Sequence, residues 1–254
     1  MLEINNLKFQ YGKETIIEDV SFNAKPGEVT AIIGANGAGK TTLLKCISGL
    51  QSGQGTIKLC GRDSSSMSRQ QISEIMSYLD QGTDCQAELN VYEVILLGRI
   101  NQLSFKVSDD DMERVEEVMK LMSISQFAHR KITELSGGQR QMVFIAQTLI
   151  KEPEILILDE PTSALDLNRQ FKLMEFLRQM TREKKFTTLL TLHHLDMAAK
   201  YADRIVVIHD GVVYADGAPE EVITEQMLRD VYKVNSEVYM DREGGRHIVA
   251  VGAI

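Results

Sequence analysis

The sequence has no apolar run approaching the roughly 20 residues that a helix needs to cross a bilayer. Its best apolar runs, residues 155–158 and 205–208, have only the length of buried strands. The N-terminal segment also lacks the basic stretch and apolar stretch of a secretory signal. Any membrane function is therefore expected to depend on a separate chain.

Cysteine and positive charge are both scarce. The three cysteines are isolated and odd in number, so they predict neither a disulfide framework nor a metal-binding cluster, which suits a reducing compartment. The 28 basic residues are outnumbered by 36 acidic ones, for a formal net charge of −8. Because non-specific nucleic-acid binding requires cationic groups that displace counterions, we expect no nucleic-acid partner.

Three patterns follow one another along the 254 residues. Within residues 1–83, positions 2–22 alternate apolar and polar side chains, and an apolar stretch follows at 29–33, which predicts antiparallel strands and then a buried strand. Residues 84–152 have the periodicity of helices. Residues 153–254 alternate strands with helices, which indicates an α/β fold with a mainly parallel sheet. The length suits a single domain, 1–254, in which 84–152 is a helical insertion into a core of 1–83 and 153–254.

Caps and spacing predict individual elements. Ser108 before three aspartates predicts a helix start, and Met112, Val115, Met119 and Met122 form one apolar stripe that is expected to lie in the core. The remaining predicted elements are strands at 155–159, 187–192 and 204–209, helices at 40–49, 166–182 and 195–201, and a closing hairpin of 237–240 with 247–251.

The loop at residues 34–41 reads GANGAGKT, which fits G-x-x-x-x-G-K-T between a predicted strand and a predicted helix. Its glycines let backbone N–H groups point at a phosphate, and the following helix adds its positive N-terminal end. Lys40 brings a full charge toward the β- and γ-phosphates, and the Thr41 hydroxyl can ligate Mg²⁺. A mere glycine-rich turn would require neither side chain. We therefore expect ATP and Mg²⁺ as cofactors, bound by Gly34, Asn36, Gly37, Ala38, Gly39, Lys40, Thr41 and Thr42.

A buried strand that ends in two carboxylates, Asp159 and Glu160, is expected to complete this site. Ligands of open α/β sheets bind at the carboxyl ends of the strands, so Asp159 is expected beside the phosphate loop. There Asp159 would hold Mg²⁺ through water, and Glu160 would orient or deprotonate the attacking water. Taken alone, the pair could equally be solvated at the tip of the strand; the phosphate loop favours the catalytic interpretation.

The segment LSGGQ at residues 135–139 places a serine and two glycines at a helix start, which makes a second anion-binding end. A chain with one complete phosphate loop needs another only if it completes the site of a second copy; the alternative is an ordinary capped helix. With this segment the sequence resembles the ATP-binding-cassette (ABC) family over essentially its whole length. The resemblance implies a P-loop NTPase (RecA-like) core, an N-terminal antiparallel β subdomain, and nucleotide contacts from Ser136, Gly137, Gly138 and Gln139.

Further positions match the motifs of this family in order. By the resemblance, Tyr11 stacks on adenine, Gln81 contacts Mg²⁺ and the membrane partner, and Asp166 lies in the loop that communicates across the dimer. His193 takes the switch position at the γ-phosphate, because His194 stands where the family commonly has aspartate. Outside this context, a tyrosine at a strand end is more often a packing residue, and a histidine there a surface residue. The implied catalytic residues are Lys40, Gln81, Glu160 and His193, and the implied metal-binding residues are Thr41, Gln81 and Asp159.

The resemblance implies the ATP-hydrolysing subunit of an ABC transporter. Two copies would form a head-to-tail homodimer on the cytoplasmic face of the cell membrane, beside separate integral membrane permease subunits that receive cargo from a substrate-binding protein. Residues 89–99, 166–170 and 217–222 are similar to those of importers of iron–siderophore, haem or cobalamin complexes. The alternatives are an importer of a metal ion or another nutrient, a soluble ABC ATPase, or a nucleotide-binding regulator.

The sequence departs from this branch of the family at Asp80, Gln139 and Gln147, where proline, glutamate and arginine are frequent. None of the three departures changes a group expected to contact phosphate, so ATPase activity is still expected. Asp80 precedes the loop glutamine, and we expect it to alter the surface that docks the membrane partner.

Overall fold

The computed structural model of the chain describes residues 1–82, 88–100, 107–240 and 246–254. Its strands are β1 (Leu2–Tyr11), β2 (Glu14–Ala24), β3 (Val29–Ile33), β4 (Gln54–Leu59), β5 (Arg62–Asp63), β6 (Met76–Leu79), β7 (Ile155–Leu158), β8 (Thr187–Thr191), β9 (Arg204–His209), β10 (Val212–Gly217), β11 (Val234–Met240) and β12 (Arg246–Ala253). Its α-helices are α1 (Lys40–Ile47), α2 (Arg69–Ile75), α3 (Val91–Leu96), α4 (Asp109–Leu121), α5 (Gly137–Leu149), α6 (Leu167–Lys184), α7 (Leu195–Tyr201), α8 (Pro219–Val222) and α9 (Glu225–Tyr232).

One mixed sheet organises the molecule, with the strand order β5-β4-β1-β2-β10-β9-β3-β8-β7-β6. The strands from β9 to β6 run parallel, whereas β5, β4, β1 and β2 pair antiparallel. The predicted α/β fold with an antiparallel N-terminal part is therefore confirmed. The parallel arrangement also brings the carboxyl ends of β3, β8 and β7 to one edge of the sheet, where the phosphate loop and the acidic residues follow their strands.

The core lies on both faces of the parallel strands. Every residue of β3, β7 and β8 is buried, as expected for strands covered on two sides. Successive side chains of a strand point to opposite faces, so Ile155 and Ile157 pack in one apolar cluster with α1, while Leu156 and Leu158 pack in the other with α5 and α6.

Helices α2 to α5 begin with capping boxes, in which the N-cap side chain and the third helical residue bond to each other's backbone N–H groups. The N-cap residues of α2, α3, α4 and α5 are Ser68, Asn90, Ser108 and Ser136. The helix start predicted at Ser108 is therefore present. Each such box satisfies N–H groups that have no partner inside the helix.

The apolar stripe predicted for α4 is wrong at one position. Its other three members are buried, but Met112 is 40% exposed. In the first turn of α4 the inward position belongs instead to Asp111, which accepts a hydrogen bond from Arg99 at 2.8 Å and from the Ser108 hydroxyl at 2.7 Å. A satisfied ion pair therefore replaces apolar packing at this end of the helix.

The turn after α3 packs against α5 without free space. A Cβ atom on Gly98 would lie 2.2 Å from the carbonyl oxygen of Gln147 and 2.7 Å from a methyl group of Ile150, so only glycine fits there. On either side of Gly98, Leu97 and Ile100 are exposed. The turn at Gly98 is thus held directly against α5.

The remaining predictions differ from the structure mainly at element ends. Helix α7 and strand β9 have the predicted bounds, whereas β7 ends at Leu158, before the predicted Asp159. The closing hairpin, β11 with β12, is longer than predicted and donates a hydrogen bond from the Ile248 N–H to Asp196 of α7 at 3.2 Å. The predicted boundary between residues 83 and 84 lies outside the described residues. Within the described ranges, no helix is long and apolar enough to span a bilayer.

Candidate functional site

The phosphate loop connects β3 to α1 through backbone conformations that require glycine. Gly39, the N-cap of α1, has a φ of 91°, in the left-handed region that side chains disfavour. At Gly34 the chain passes so close to β9 that a Cβ atom would lie 2.2 Å from the carbonyl oxygen of Ile208. The loop therefore leads directly into the first N–H groups of α1, which have no intrahelical partners and carry the positive end of the helix dipole.

Lys40 is buried at the centre of this loop. Its ammonium donates hydrogen bonds to the carbonyl oxygens of Gly34 at 2.9 Å and Ala35 at 3.0 Å. Burial lowers the pKa of Lys40, and the nearby carboxylates of Glu160 and Asp159 oppose that shift. The ammonium is thus fixed between the phosphate loop and the acidic end of β7.

Asp159 has one buried carboxylate oxygen that no described residue reaches at hydrogen-bonding geometry, although the Thr41 hydroxyl acts on the same carboxylate. The residue is fully buried, and its Oδ1 accepts a hydrogen bond from the Thr191 hydroxyl at 2.6 Å. Its Oδ2 is buried and accepts no hydrogen bond from any described residue. Burial raises the pKa of Asp159, while the hydroxyls of Thr191 and Thr41 lower it. An unpaired buried oxygen is costly unless a cation satisfies it, so this carboxylate and the Thr41 hydroxyl fit a hard, oxygen-liganded ion such as Mg²⁺.

The carboxylate of Glu160 contacts the side chains of both Gln81 and His193. Its Oε2 accepts a hydrogen bond from the Gln81 side chain at 2.7 Å, and its Oε1 contacts Nε2 of His193. The backbone φ of Glu160 is 49°, in a region that costs a residue with a side chain about 1–2 kcal/mol. Three hydrogen bonds hold this conformation: the Glu160 N–H donates to the Thr191 hydroxyl at 2.7 Å, and its carbonyl accepts from the Ser163 hydroxyl at 3.0 Å and the Ser163 N–H at 3.2 Å. Backbone strain of this kind concentrates at functional sites.

These groups line one cavity of about 460 Å³. The structure therefore brings together the phosphate loop, the loop glutamine, the second strand-end carboxylate and the predicted switch histidine, although they come from distant parts of the sequence. Sequence reasoning missed Ile16, an alternating residue of β2 with no chemical signal, and Thr191, which ends a fully buried strand with two other threonines. The lining residues are Ile16, Asn36, Gly37, Ala38, Gly39, Lys40, Thr41, Thr42, Gln81, Glu160 and His193.

Other predicted nucleotide contacts do not line this cavity. Ser136 and Gln139 bond to each other's backbone N–H groups in the capping box of α5, at 3.3 and 2.9 Å. Asp166 caps α6 by accepting the Arg169 N–H at 3.0 Å. Tyr11 ends β1 and is 48% exposed. In a single chain the segment 136–139 is therefore not available to the ligand of its own phosphate loop.

The start of α5 is fixed to the loop that follows Glu160. A Cβ atom on Gly138 would lie 2.9 Å from the carbonyl oxygen of Ala164, and the Gln141 side chain donates to the carbonyl of Pro161 at 3.2 Å. The start of α5 and the loop 161–166 thus form one continuous surface.

Asp80 has a local structural role. Its carboxylate accepts a hydrogen bond from the Gln81 N–H at 2.9 Å and pairs with Lys45 of α1 at 3.3 Å. The residue that replaces the frequent proline therefore links the backbone of the loop glutamine to the helix of the phosphate loop.

His194 begins α7 without capping it, since its side chain makes no cap hydrogen bond. We expect His194→Asp to raise the free energy of unfolding by about 1 kcal/mol, because aspartate accepts free N–H groups at a helix start and suits the helix dipole. Denaturant titration measures this change, with His194→Ala as the control for loss of the imidazole. An Asp variant no more stable than the Ala variant would contradict the expectation.

The chain is similar to known proteins over most of its length. A family profile described as ABC transporter matches residues 17–163. The chain is 36% identical over 243 residues to the petrobactin import ATP-binding protein FpuD of Bacillus anthracis, covering 94% of this chain and 89% of that protein. It is 33% identical over 261 residues to the hemin import ATP-binding protein HmuV of Plesiomonas shigelloides, covering 96% and 98%.

Solved structures are similar over most of the chain. The structure of cbiO1 from Clostridium perfringens, part of the ABC transporter complex cbiONQ, superposes with a TM-score of 0.78 at 31% identity, covering 90% of this chain and 92% of that one. A dimeric post-hydrolysis structure of the ATP-binding cassette MJ0796, bound to ADP and Pi, has a TM-score of 0.78 at 27% identity, covering 86% and 99%.

Proposed function

This chain belongs to the ABC transporter family as an ATP-hydrolysing subunit, and from this premise we propose that it drives an importer of iron–siderophore, haem or cobalamin complexes. The observation that supports the catalytic assignment is the single cavity in which Lys40 faces Glu160, with Gln81 and His193 in contact with the same carboxylate. The cargo assignment is supported by relatives named for petrobactin and hemin import, which match nearly the full length of the chain.

We propose the following roles at the site. Lys40 and the N–H groups at the start of α1 bind the phosphates, and Tyr11 with Ile16 lies on the side of the base. Thr41, Asp159 and Gln81 hold Mg²⁺, which when bound neutralises charge on the phosphates. Positioning and charge neutralisation dominate phosphoryl transfer to water, so the arrangement needs no covalent intermediate.

Glu160 is the group that orients the attacking water and accepts its proton. Gln81 and His193 fix the two carboxylate oxygens in different directions, so Glu160 cannot rotate freely away from the cavity. His193 would contact the γ-phosphate from the same side. A general base held in place in this way loses little entropy when the reaction begins.

The second part of the proposal is a head-to-tail homodimer. Residues 136–139 form an anion-binding helix end that lies outside the cavity of its own chain, and Asp166 lies on the same surface through the contact of Gly138 with Ala164. A second copy would use this end, with Ser136, Gly137, Gly138 and Gln139, to close over ATP. Residues 84–152 would act as the helical subdomain that carries this end, and 1–83 with 153–254 as the catalytic core.

The dimer would lie on the cytoplasmic face of the cell membrane against separate permease subunits, with a substrate-binding protein delivering cargo on the other side. The test is to co-purify the tagged chain with its permease from detergent-solubilised membranes and reconstitute the complex in liposomes. We expect ATP hydrolysis to rise several-fold when the binding protein carries a ferric siderophore, haem or cobalamin, and not when it is empty.

The alternatives predict different results in the same experiment. Stimulation by a free metal ion or another nutrient would retain the transporter and replace the cargo. A chain that hydrolyses ATP but never associates with a multi-helix membrane protein would indicate a soluble ABC ATPase.

A further inference from the structure

The Thr191 hydroxyl bonds to both strand-end acidic residues, to the carboxylate of Asp159 and to the backbone N–H of Glu160. Thr191 is the last residue of β8 and is fully buried, with Ile32 of β3 as its backbone neighbour on one side. On the other side β8 pairs in parallel with β7, where Leu190 stands beside Leu158. The next residue of each chain segment, Asp159 after Leu158 and Thr191 after Leu190, is therefore adjacent to the other, which places the Thr191 side chain next to Asp159.

The hydroxyl of Thr191 has both of its hydrogen-bonding roles fixed. The Glu160 N–H can only donate, so the Thr191 oxygen accepts that bond at 2.7 Å. Its single proton is then directed to Oδ1 of Asp159 at 2.6 Å. This bond occupies one oxygen of Asp159 and leaves Oδ2, which accepts no bond from the described residues, for a cation.

The same hydroxyl holds the strained backbone of Glu160. With a φ of 49°, Glu160 would relax toward ordinary conformations if its N–H lost its partner. Such a relaxation would turn its carboxylate away from Gln81 and His193, which it now contacts. One side chain therefore contributes to the direction of both acidic groups, by a bond to the carboxylate of Asp159 and by a bond to the backbone of Glu160.

We infer that Thr191 is a positioning residue for ATP hydrolysis: its hydroxyl directs one oxygen of Asp159 to the metal and fixes the backbone from which Glu160 reaches the attacking water. The inference rests on the proposed function of this site, and it predicts effects on metal binding that do not depend on turnover.

The test compares Thr191→Val, which keeps the shape and removes the hydroxyl, with Thr191→Ser, which keeps the hydroxyl. We expect Thr191→Val to weaken Mn²⁺ binding to the ADP complex, followed by electron paramagnetic resonance, by about 10-fold or more, on the scale of a lost hydrogen bond to a charged group. We also expect kcat for ATP to fall by about 10–100-fold and the affinity for metal-free ATP to stay within about twofold. Thr191→Ser should restore both metal binding and kcat to within about threefold.

Thr188 offers a matched control on the same strand. It is also fully buried, and its hydroxyl bonds to that of Thr181 at 2.7 Å, away from the carboxylates. Thr188→Val removes an equally buried hydroxyl, so it measures the general cost of the change. We expect it to lose stability in denaturant titration while its Mn²⁺ affinity and kcat remain near those of the unaltered chain.

Two results would overturn the inference. One is a folded Thr191→Val variant whose Mn²⁺ affinity and kcat stay within twofold of the unaltered chain. The other is a Thr188→Val variant with the same losses, which would make Thr191 only a structural residue. Failure of the proposed function itself would be distinct, because an unaltered chain without ATPase activity can still be compared with Thr191→Val in Mn²⁺ binding.

Discussion

Glu160→Gln is expected to bind ATP with nearly unchanged affinity while its turnover falls by about 10²–10⁴-fold, the usual scale for loss of a general base. The amide has the size of the carboxylate and can keep one of the contacts to Gln81 and His193, but it cannot accept a proton from water. Phosphate release at saturating ATP measures the turnover, and equilibrium dialysis with labelled ATP measures the affinity. The loss corresponds to about 3–5 kcal/mol in the barrier.

Glu152→Gln is the matched control for this change. Glu152 forms a surface ion pair with Lys184 at 2.6 Å, on a part of the chain that does not line the cavity. The same chemical change there should leave turnover intact. Near-normal ATP hydrolysis by Glu160→Gln would remove Glu160 from the catalytic role, whereas loss of ATP binding would show that its charge serves the bound nucleotide instead.

Ser136→Asp is expected to abolish ATP-dependent dimerisation and to lower turnover by about 100-fold or more. Aspartate is as good an N-cap as serine, so the fold of α5 and the phosphate loop of the same chain should be unaffected. In a head-to-tail dimer, however, the new carboxylate would face the phosphates bound by the other copy. Two unit charges 4 Å apart repel by about 4 kcal/mol at an effective dielectric constant of about 20. Size-exclusion chromatography with light scattering, in the Glu160→Gln background with ATP, measures the dimer.

Ser68→Asp provides the control for this second prediction. Ser68 caps α2 in a capping box with Gln71, at 3.2 and 2.8 Å, and thus reproduces the Ser136–Gln139 arrangement away from the cavity. Ser136→Asn is a further control, because asparagine has the shape of aspartate without its charge. We expect this variant to retain most of the ATP-dependent dimer. If Ser136→Asp dimerises with ATP as well as Ser68→Asp does, the segment 136–139 does not face the nucleotide of a second copy.

The parts of the site that could be predicted from the sequence are those with local motifs. The conformation of residues 34–41 is encoded by glycines and a lysine at fixed spacing, and the Ser136 helix end by its own cap. The order of strands and helices also follows from periodicity, because buried parallel strands are apolar on both faces.

The contacts that could not be predicted depend on how the strands are placed beside one another. Thr191 stands in a fully buried strand that also contains Thr187 and Thr188, and its approach to Asp159 exists only because β8 lies beside β7 in a particular register. Periodicity placed Met112 on an apolar face, but it could not show that Asp111 would turn inward to Arg99 at that end of α4. Short polar contacts of this kind leave no repeat in the sequence.

The close packing of Gly98 on Gln147 has a mechanical consequence. Packed interiors have low compressibility, so a displacement of one side of a contact without free volume displaces the other side as well. From Gln147 the stiff rod of α5 runs about 16 Å back to Ser136, at 1.5 Å per residue. A displacement of the exposed Leu97 and Ile100 would therefore move helix α5 as a rigid body, including its N-terminal end at Ser136.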